Sequence, residues 1–97
     1  MQFISIARRR TESFTPEAFE PLLEPEAEKV RELYARGVVR AVWSREDVLG
    51  AVMLLEASSR EALDAELATL PLSAAGMLEI TVMPIKAYRG FGPRVVT

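Results

Sequence analysis

Residues 37–56 of the chain read GVVRAVWSREDVLGAVMLLE. Two apolar runs, 38–43 and 48–55, flank the polar patch 44–47. Their β-branched residues and the short polar connection predict two antiparallel strands joined by a loop. One helical pattern precedes this hairpin and another follows it, and apolar strand-like segments stand near both ends of the chain. The hairpin therefore lies at the middle of a βαββαβ order.

The outer strands are predicted at residues 2–8 and 77–85. In the first strand, Phe3, Ser5 and Ala7 alternate with Gln2, Ile4 and Ile6, so both faces carry apolar groups. The basic cluster 8–10 closes this strand; we interpret it as a solvated strand end, with an anion-binding loop as the alternative.

The first helical segment contains three prolines. Thr15 is a typical N-cap with Pro16 at the first helical position, and Phe14 and Phe19 have the spacing of a hydrophobic staple. Because an internal proline costs about 3 kcal/mol, Pro21 and Pro25 predict a short turn at 16–20 and a main helix over 25–36. Residues with helical spacing form its predicted buried side, and these are Ala27, Val30, Leu33 and Tyr34.

The second helix is predicted to begin at a capping box, in which Ser58 binds the amide of Glu61 and the Glu61 side chain returns the contact. Its apolar stripe consists of Leu63, Leu67 and Leu70, and Pro71 ends it.

Two right-handed strand–helix–strand units predict one antiparallel sheet of order 4-1-3-2 with both helices on one face. This is the ferredoxin-like α+β arrangement. We assign residues 1–88 to a single domain and residues 89–97 to an extended or partly disordered tail.

The other face of the sheet is predicted to be apolar and uncovered. Strand parity places Val39, Ala41 and Trp43 opposite Val38 and Val42, and Val52 and Leu54 opposite Ala51, Met53 and Leu55. A second copy of the sheet would cover such a face, which predicts a dimeric α/β barrel as a homodimer or a higher even oligomer.

Composition restricts the chemistry. The 97 residues include no cysteine and no histidine, which removes thiolate catalysis, the usual base near neutral pH and the commonest metal ligand. We therefore expect no metal site. The net charge of −2 and a third strand without aromatic residues argue against nucleic-acid binding.

Location follows from the same sequence. No apolar run approaches the roughly 20 residues of a membrane helix, and the N-terminal segment does not have the pattern of a signal peptide. We expect a cytoplasmic protein that does not bind membranes.

Candidate site residues stand near strand ends. Trp43 could stack a planar ligand or belong to an interface, and Arg40 and Arg45 could bind a carboxylate or be solvated. Glu56 and Glu79 have aliphatic neighbours that could raise a carboxyl pKa and favour a general base. Solvated glutamates are the alternative. Glu26, on an otherwise solvated acidic helix face, and Tyr34 complete the candidates.

Several segments together resemble the muconolactone delta-isomerase family and its YCII-related relatives over about residues 26–88. They are 33–37 leading to Trp43, 50–52 leading to 56–59, Leu70-Pro71-Leu72, and 77–85. The resemblance implies a dimeric α/β barrel, a pocket between sheet and helices, and a cofactor-free proton shift on an unsaturated lactone. It places Glu26 and Glu79 on acidic positions of that enzyme, with either as the base.

The chain also departs from that pattern. Ala41 stands where the isomerase usually has a histidine, Ser44 where it has an arginine, and residues 73–76 replace Phe-Pro-Tyr. The sequence thus favours a small isomerase-type enzyme acting on a hydrophobic or carboxylated metabolite, with Trp43 as pocket wall and Arg45 as anchor. The alternative is a non-catalytic module that binds a small molecule or only dimerises.

Overall fold

A computed structural model describes residues 1–91 of the chain. Its elements are β1 (Gln2–Arg9), α1 (Pro16–Ala35), β2 (Val39–Ser44), β3 (Gly50–Glu56), α2 (Arg60–Leu67), α3 (Pro71–Ala74) and β4 (Leu78–Ile85). The strands form one antiparallel sheet in the order β2-β3-β1-β4, which confirms the predicted order 4-1-3-2 and the ferredoxin-like topology.

Most of the predicted C-terminal tail, residues 92–97, lies outside the described residues, and the domain division at residue 88 stays a prediction. No helix within residues 1–91 has the length and apolar character needed to cross a bilayer.

The core lies between one face of the sheet and the helices. Phe3, Met53 and Leu55 on this helix-facing side are buried, and Leu63 and Leu67 of α2 pack against them. The predicted end of α2 at Pro71 is wrong, because α2 ends at Leu67 and Pro71 begins α3, with the buried Leu70 as the residue before it. The members of the main apolar cluster are Phe3, Leu33, Val39, Met53, Leu55, Leu63, Leu67 and Leu70. A smaller cluster of Phe19, Leu72 and Met77 lies under the first half of α1.

The opposite side, which we call the open face, is apolar and not covered by any described element. Cross-strand pairs on it include Ile4 with Leu54 and Met83, and Trp43 with Val52. Trp43 is 54% exposed and Met83 is 46% exposed. This confirms the prediction that one parity of the strands leaves large apolar groups outside the core.

The predicted parity of β2 is wrong at Val39. Arg40 has no partner on β3, because Val39 pairs with Leu55 and Ala41 pairs with Leu54. This bulge inserts one extra residue and reverses the alternation, so that Val39 lies on the same helix-facing side as Val42. Val39 is fully buried there. The strict period of two therefore fails at this point.

The predicted break in the first helix is also wrong, because α1 runs without interruption from Pro16 to Ala35. Pro21 and Pro25 lie four residues apart on the exposed side, where carbonyls that lose their partners can bond to water. Phe19 holds the N-terminal half against the sheet. It also forms the predicted staple with Phe14, with ring centroids 6.1 Å apart in an edge-to-face arrangement.

The start of α1 agrees with the prediction, whereas the start of α2 differs from it. Thr15 accepts a hydrogen bond from the amide of Ala18, as expected of an N-cap, and Gly37 follows α1 with a positive φ of 81°. The cap of α2, however, is Ser59, whose hydroxyl accepts from the amide of Ala62 at 3.1 Å. The predicted capping box of Ser58 is therefore displaced by one residue.

Gly50 is required where β1 and β3 approach each other. A Cβ atom added at this position would lie 2.0 Å from the carbonyl oxygen of Ala7, which is backbone and cannot move aside. We predict that Gly50→Ala lowers the free energy of unfolding by about 3 kcal/mol, the upper range for overpacking. Urea denaturation followed by circular dichroism measures this loss.

Gly37→Ala is the matched comparison, because nothing lies within 4 Å of its added Cβ and only the positive φ is strained. We expect it to cost about 1 kcal/mol, the lower end of the cost of a left-handed conformation for a residue with a Cβ. Equal losses for both variants would contradict the steric argument.

Candidate functional site

A cavity of about 420 Å³ lies between the helix-facing side of the sheet and α1. It opens beside β2, where Val42 points towards the helices and yet is 47% exposed. Its walls are mainly aliphatic, and the polar groups are few. The lining residues that matter here are Arg9, Glu26, Val30, Ser44, Leu70 and Ile80. A concave apolar site with a few polar groups is typical of small-molecule binding.

Glu26 carries the ionisable chemistry of this cavity. It stands four residues before Val30 and seven before Leu33, so the turn of the helix directs it inwards with the apolar stripe. Its Oε1 atom accepts a hydrogen bond from the backbone amide of Leu72 at 2.9 Å. Burial raises the pKa of Glu26, and this effect exceeds the opposing influence of that hydrogen bond and of the Arg9 charge.

Arg9 supplies positive charge at the same end of the cavity. Its guanidinium carbon lies 5.5 Å from the centre of the Phe19 ring, a cation–π distance. The sequence alone favours a solvated basic cluster at residues 8–10, with an anion-binding loop as the alternative. However, Arg9 has the parity of Phe3, Ser5 and Ala7, which are all buried, and extending that alternation by one residue would have identified it.

Glu79 lies on the other side of the sheet from Glu26. Its carboxylate is 62% exposed and forms an ion pair with Arg8 at 2.9 Å. The aliphatic neighbours Leu78 and Ile80 point to the cavity instead, because adjacent residues of a strand face opposite sides. The structure therefore does not bring the two predicted bases together.

The predicted binding residues Trp43 and Arg45 also lie outside the cavity. Trp43 belongs to the open face, opposite its lining neighbours Val42 and Ser44. Arg45 binds Asp47 through two nitrogens at 2.9 and 2.6 Å, and this pairing lowers the pKa of Asp47 to about 2. The guanidinium is thus engaged by Asp47 of its own loop, and it also donates to the carbonyl oxygen of Ala7 at 3.5 Å.

The remaining candidates lie on the surface. Arg40 and Glu56 form an ion pair at 3.6 Å at the edge of the sheet. Tyr34 is 64% exposed, so its predicted place on the buried side of α1 is wrong: the sheet contacts a narrower arc of the helix, centred on Leu33. Glu26 alone among the predicted site residues lines the cavity.

The rim of the open face is charged. Arg8 pairs with Glu12 as well as with Glu79, and its hydrogen bond to Glu12 lowers the pKa of Glu12 to about 2.

Within residues 1–91, no three acidic side chains gather in a way that could bind a metal ion.

The raised pKa of Glu26 makes the stability of the folded protein depend on pH. A carboxyl group whose pKa is higher in the folded state contributes stability below its unfolded pKa, and this contribution disappears as the pH rises through the folded value. Glutamine keeps the acceptor for Leu72 and has no charge. We expect Glu26→Gln to gain stability relative to the parent protein between pH 4 and pH 8, as measured by thermal melting at each pH.

Glu17→Gln is the control, because Glu17 lies exposed in the first turn of the same helix. A stability difference for Glu26→Gln that shrinks as the pH rises would contradict the assigned direction of the shift.

Fold and cavity together define a ferredoxin-like α+β protein with a largely aliphatic cavity between sheet and helix. The chain belongs to the muconolactone delta-isomerase family, whose sequence model matches residues 1–90. No curated protein sequence matches the chain in a direct search.

Solved structures agree on the fold. A muconolactone isomerase is 22% identical, with 93% of both chains covered and a TM-score of 0.77. A 5-chloro-2-hydroxyhydroquinone dehydrochlorinase from Burkholderia phenoliruptrix, in complex with 2,5-dihydroxybenzoquinone, is 16% identical with a TM-score of 0.67, and 92% of this chain and 97% of that chain are covered. An antibiotic biosynthesis monooxygenase is 20% identical with a TM-score of 0.56, covering 90% and 100% of the two chains.

Proposed function

We propose that this protein is a cofactor-free isomerase that moves a proton within a small unsaturated metabolite carrying a carboxylate or lactone group. The observation that carries the proposal is Glu26, a carboxylate inside an apolar cavity and anchored to a backbone amide. Membership of the muconolactone delta-isomerase family supports the same class of reaction. The absence of cysteine is consistent with action in the cytoplasm.

The reaction needs one group that first accepts and then returns a proton. Glu26 removes a proton from the γ-carbon of the α,β-unsaturated lactone, and the released electron pair forms a dienolate. The protonated carboxyl then donates a proton to the carbon next to the carbonyl, which shifts the double bond and restores Glu26. Because substrate and product are isomers, no electron acceptor is consumed. A raised carboxyl pKa suits this role, since it strengthens the base near neutral pH.

Arg9 is the proposed anchor for the substrate's negative charge. It lines the same cavity, and its permanent charge would stabilise both a carboxylate and the developing dienolate. This assigns to Arg9 the role that the sequence suggested for Arg40 and Arg45, whose guanidinium groups pair with Glu56 and Asp47 instead.

Two copies are proposed to pack through their open faces, which closes the pair of sheets into an α/β barrel. The exposed apolar side chains of the open face support this assembly. In such a barrel Glu79, Trp43 and Tyr34 lie away from the cavity that holds Glu26. Glu79 would then serve as a base only in a second pocket, formed at the interface.

Turnover in deuterated buffer tests the proposed reaction. The purified protein is incubated with muconolactone, and proton NMR follows both conversion and deuterium incorporation. We expect isomerisation that is unaffected by a metal chelator. Absence of turnover and of deuterium exchange for muconolactone and for related unsaturated lactones would reject the proposal.

The second candidate is a binding module without catalysis. The predominantly aliphatic lining of the cavity, with a single carboxylate among its residues, favours it. Binding of an unsaturated lactone with no exchange at its acidic carbon would support this function instead.

A further inference from the structure

The short helix α3 has no cap of its own. Leu70 occupies its N-cap position and provides no side-chain hydrogen bond, and Pro71 at the first position has no N–H to donate. The amide of Leu72 is therefore the first donor that the helix presents. Its partner is Oε1 of Glu26, which lies 46 residues earlier in the chain, at 2.9 Å.

The Leu72 amide is held on a rigid support. Its side chain is 4% exposed and packs with Phe19 and Met77 in the smaller cluster. Its carbonyl oxygen accepts a hydrogen bond from the amide of Met77 at 2.9 Å, just before β4. The donor is thus fixed both to the sheet and to α1, the helix that carries Glu26.

We propose that the backbone amide of Leu72 is a positioning group for the base: it holds Oε1 of Glu26 and leaves Oε2 to exchange the proton with the substrate. This inference rests on the proposed function and adds to it the choice of reacting oxygen. Its basis is that Oε1 has a fixed donor, whereas no hydrogen bond to Oε2 occurs within residues 1–91.

The charged groups around this carboxylate do not compete for that role. Besides Glu26, the charged residues lining the cavity are Arg9 from β1 and Arg31 from α1. Arg31 is engaged by Glu24 at 2.7 Å and by Glu28 at 2.6 Å. The fixed amide therefore sets the orientation, and the arginines set the surrounding charge.

Two substitutions at residue 72 separate the amide from the side chain. Leu72→Ala removes the packing of the side chain and keeps the backbone N–H. Leu72→Pro removes the side-chain packing and the N–H. Proline is tolerated at this position because the N–H of Leu72 has no partner within α3. Proton–nitrogen NMR of the parent protein first follows the Leu72 amide as the pH is changed. We expect its resonance to titrate with the Glu26 carboxyl group, and this titration to vanish in Glu26→Gln.

Carbon NMR of glutamate side chains and kinetics then compare the variants. Loss of the donor is expected to raise the Glu26 pKa in Leu72→Pro relative to Leu72→Ala, and to shift the pH profile of kcat in the same direction. It should also lower kcat about tenfold with little change in KM, since orientation is lost and binding is kept.

The measurements distinguish the possible failures. A Leu72 amide that does not titrate, or equal Glu26 pKa values in the two variants at residue 72, would overturn the inference whether or not the protein is an enzyme. If the NMR results hold and no isomerisation is found, the positioning contact stands and the proposed function fails. If Leu72→Pro does not fold, the amide titration in the parent protein and its loss in Glu26→Gln decide the matter.

Discussion

Glu26→Gln is expected to lower kcat for isomerisation by about 10²- to 10⁴-fold, the usual contribution of a general base. Glutamine has nearly the same shape and can still accept the hydrogen bond of the Leu72 amide, so the structure around it should persist. It cannot take up a proton. KM is therefore expected to change much less than kcat, and initial rates over a range of substrate concentrations measure both.

Glu79→Gln is the matched control for this experiment. The same chemical change is made to a carboxylate on the open face, where it breaks only an exposed ion pair with Arg8. We expect kcat to stay within about twofold of the parent protein, because ion pairs of this kind contribute little. The opposite outcome, in which Glu79→Gln abolishes activity and Glu26→Gln does not, would place the chemistry in the interface.

Leu54→Glu is expected to dissociate the proposed dimer. Leu54 is half-buried in the open face, paired with Ile4 and Ala41, and in the assembly a carboxylate there would have no partner. Half a dozen apolar groups exposing about 50–100 Å² each represent on the order of 10 kcal/mol of burial before the costs of association. A buried unpaired charge costs several kcal/mol, so the dimer dissociation constant should rise by about 10³-fold or more.

Sedimentation velocity at low micromolar concentration measures this change. The parent protein should sediment at about twice the chain mass of 10.8 kDa, or a multiple of it, and Leu54→Glu as a folded monomer. Trp43→Lys serves as a second variant if Leu54→Glu does not fold, because Trp43 is more exposed. Ala65→Glu, on the solvent side of α2, is the control and should not dissociate. A parent protein that is itself a monomer would reject the barrel.

The order of the elements could be predicted because helix and strand periods alternate clearly along the chain. Periodicity does not report where an extra residue interrupts a strand. It therefore does not predict the bulge at Arg40, and it assigns Val39 to the wrong face of the sheet. The same holds for Pro21 and Pro25. Local propensity predicts a break there, but packing of Phe19 against the core outweighs the lost hydrogen bonds.

The candidate site was less predictable than the fold. Glu26 could be selected from the family resemblance, but its neighbour Leu72 is 46 residues away and a backbone amide leaves no signature in the side-chain sequence. Trp43 and Glu79 have suggestive neighbours in sequence. Yet adjacent residues of a strand face opposite sides, so Val42 and Ile80 enter the cavity while Trp43 and Glu79 do not.

The bulge at Arg40 also affects the tendency of this protein to aggregate. β2 and β4 are the two edge strands of the sheet. The unpaired N–H and C=O groups of a regular edge strand can pair with strands of other molecules and so start fibril growth. The bulge disturbs the spacing of donors and acceptors along β2, and Pro84 removes a donor from β4. Both edge strands are thus poor templates for amyloid growth. Even a mutant that does not form the proposed dimer should therefore aggregate less than the number of its exposed apolar side chains suggests.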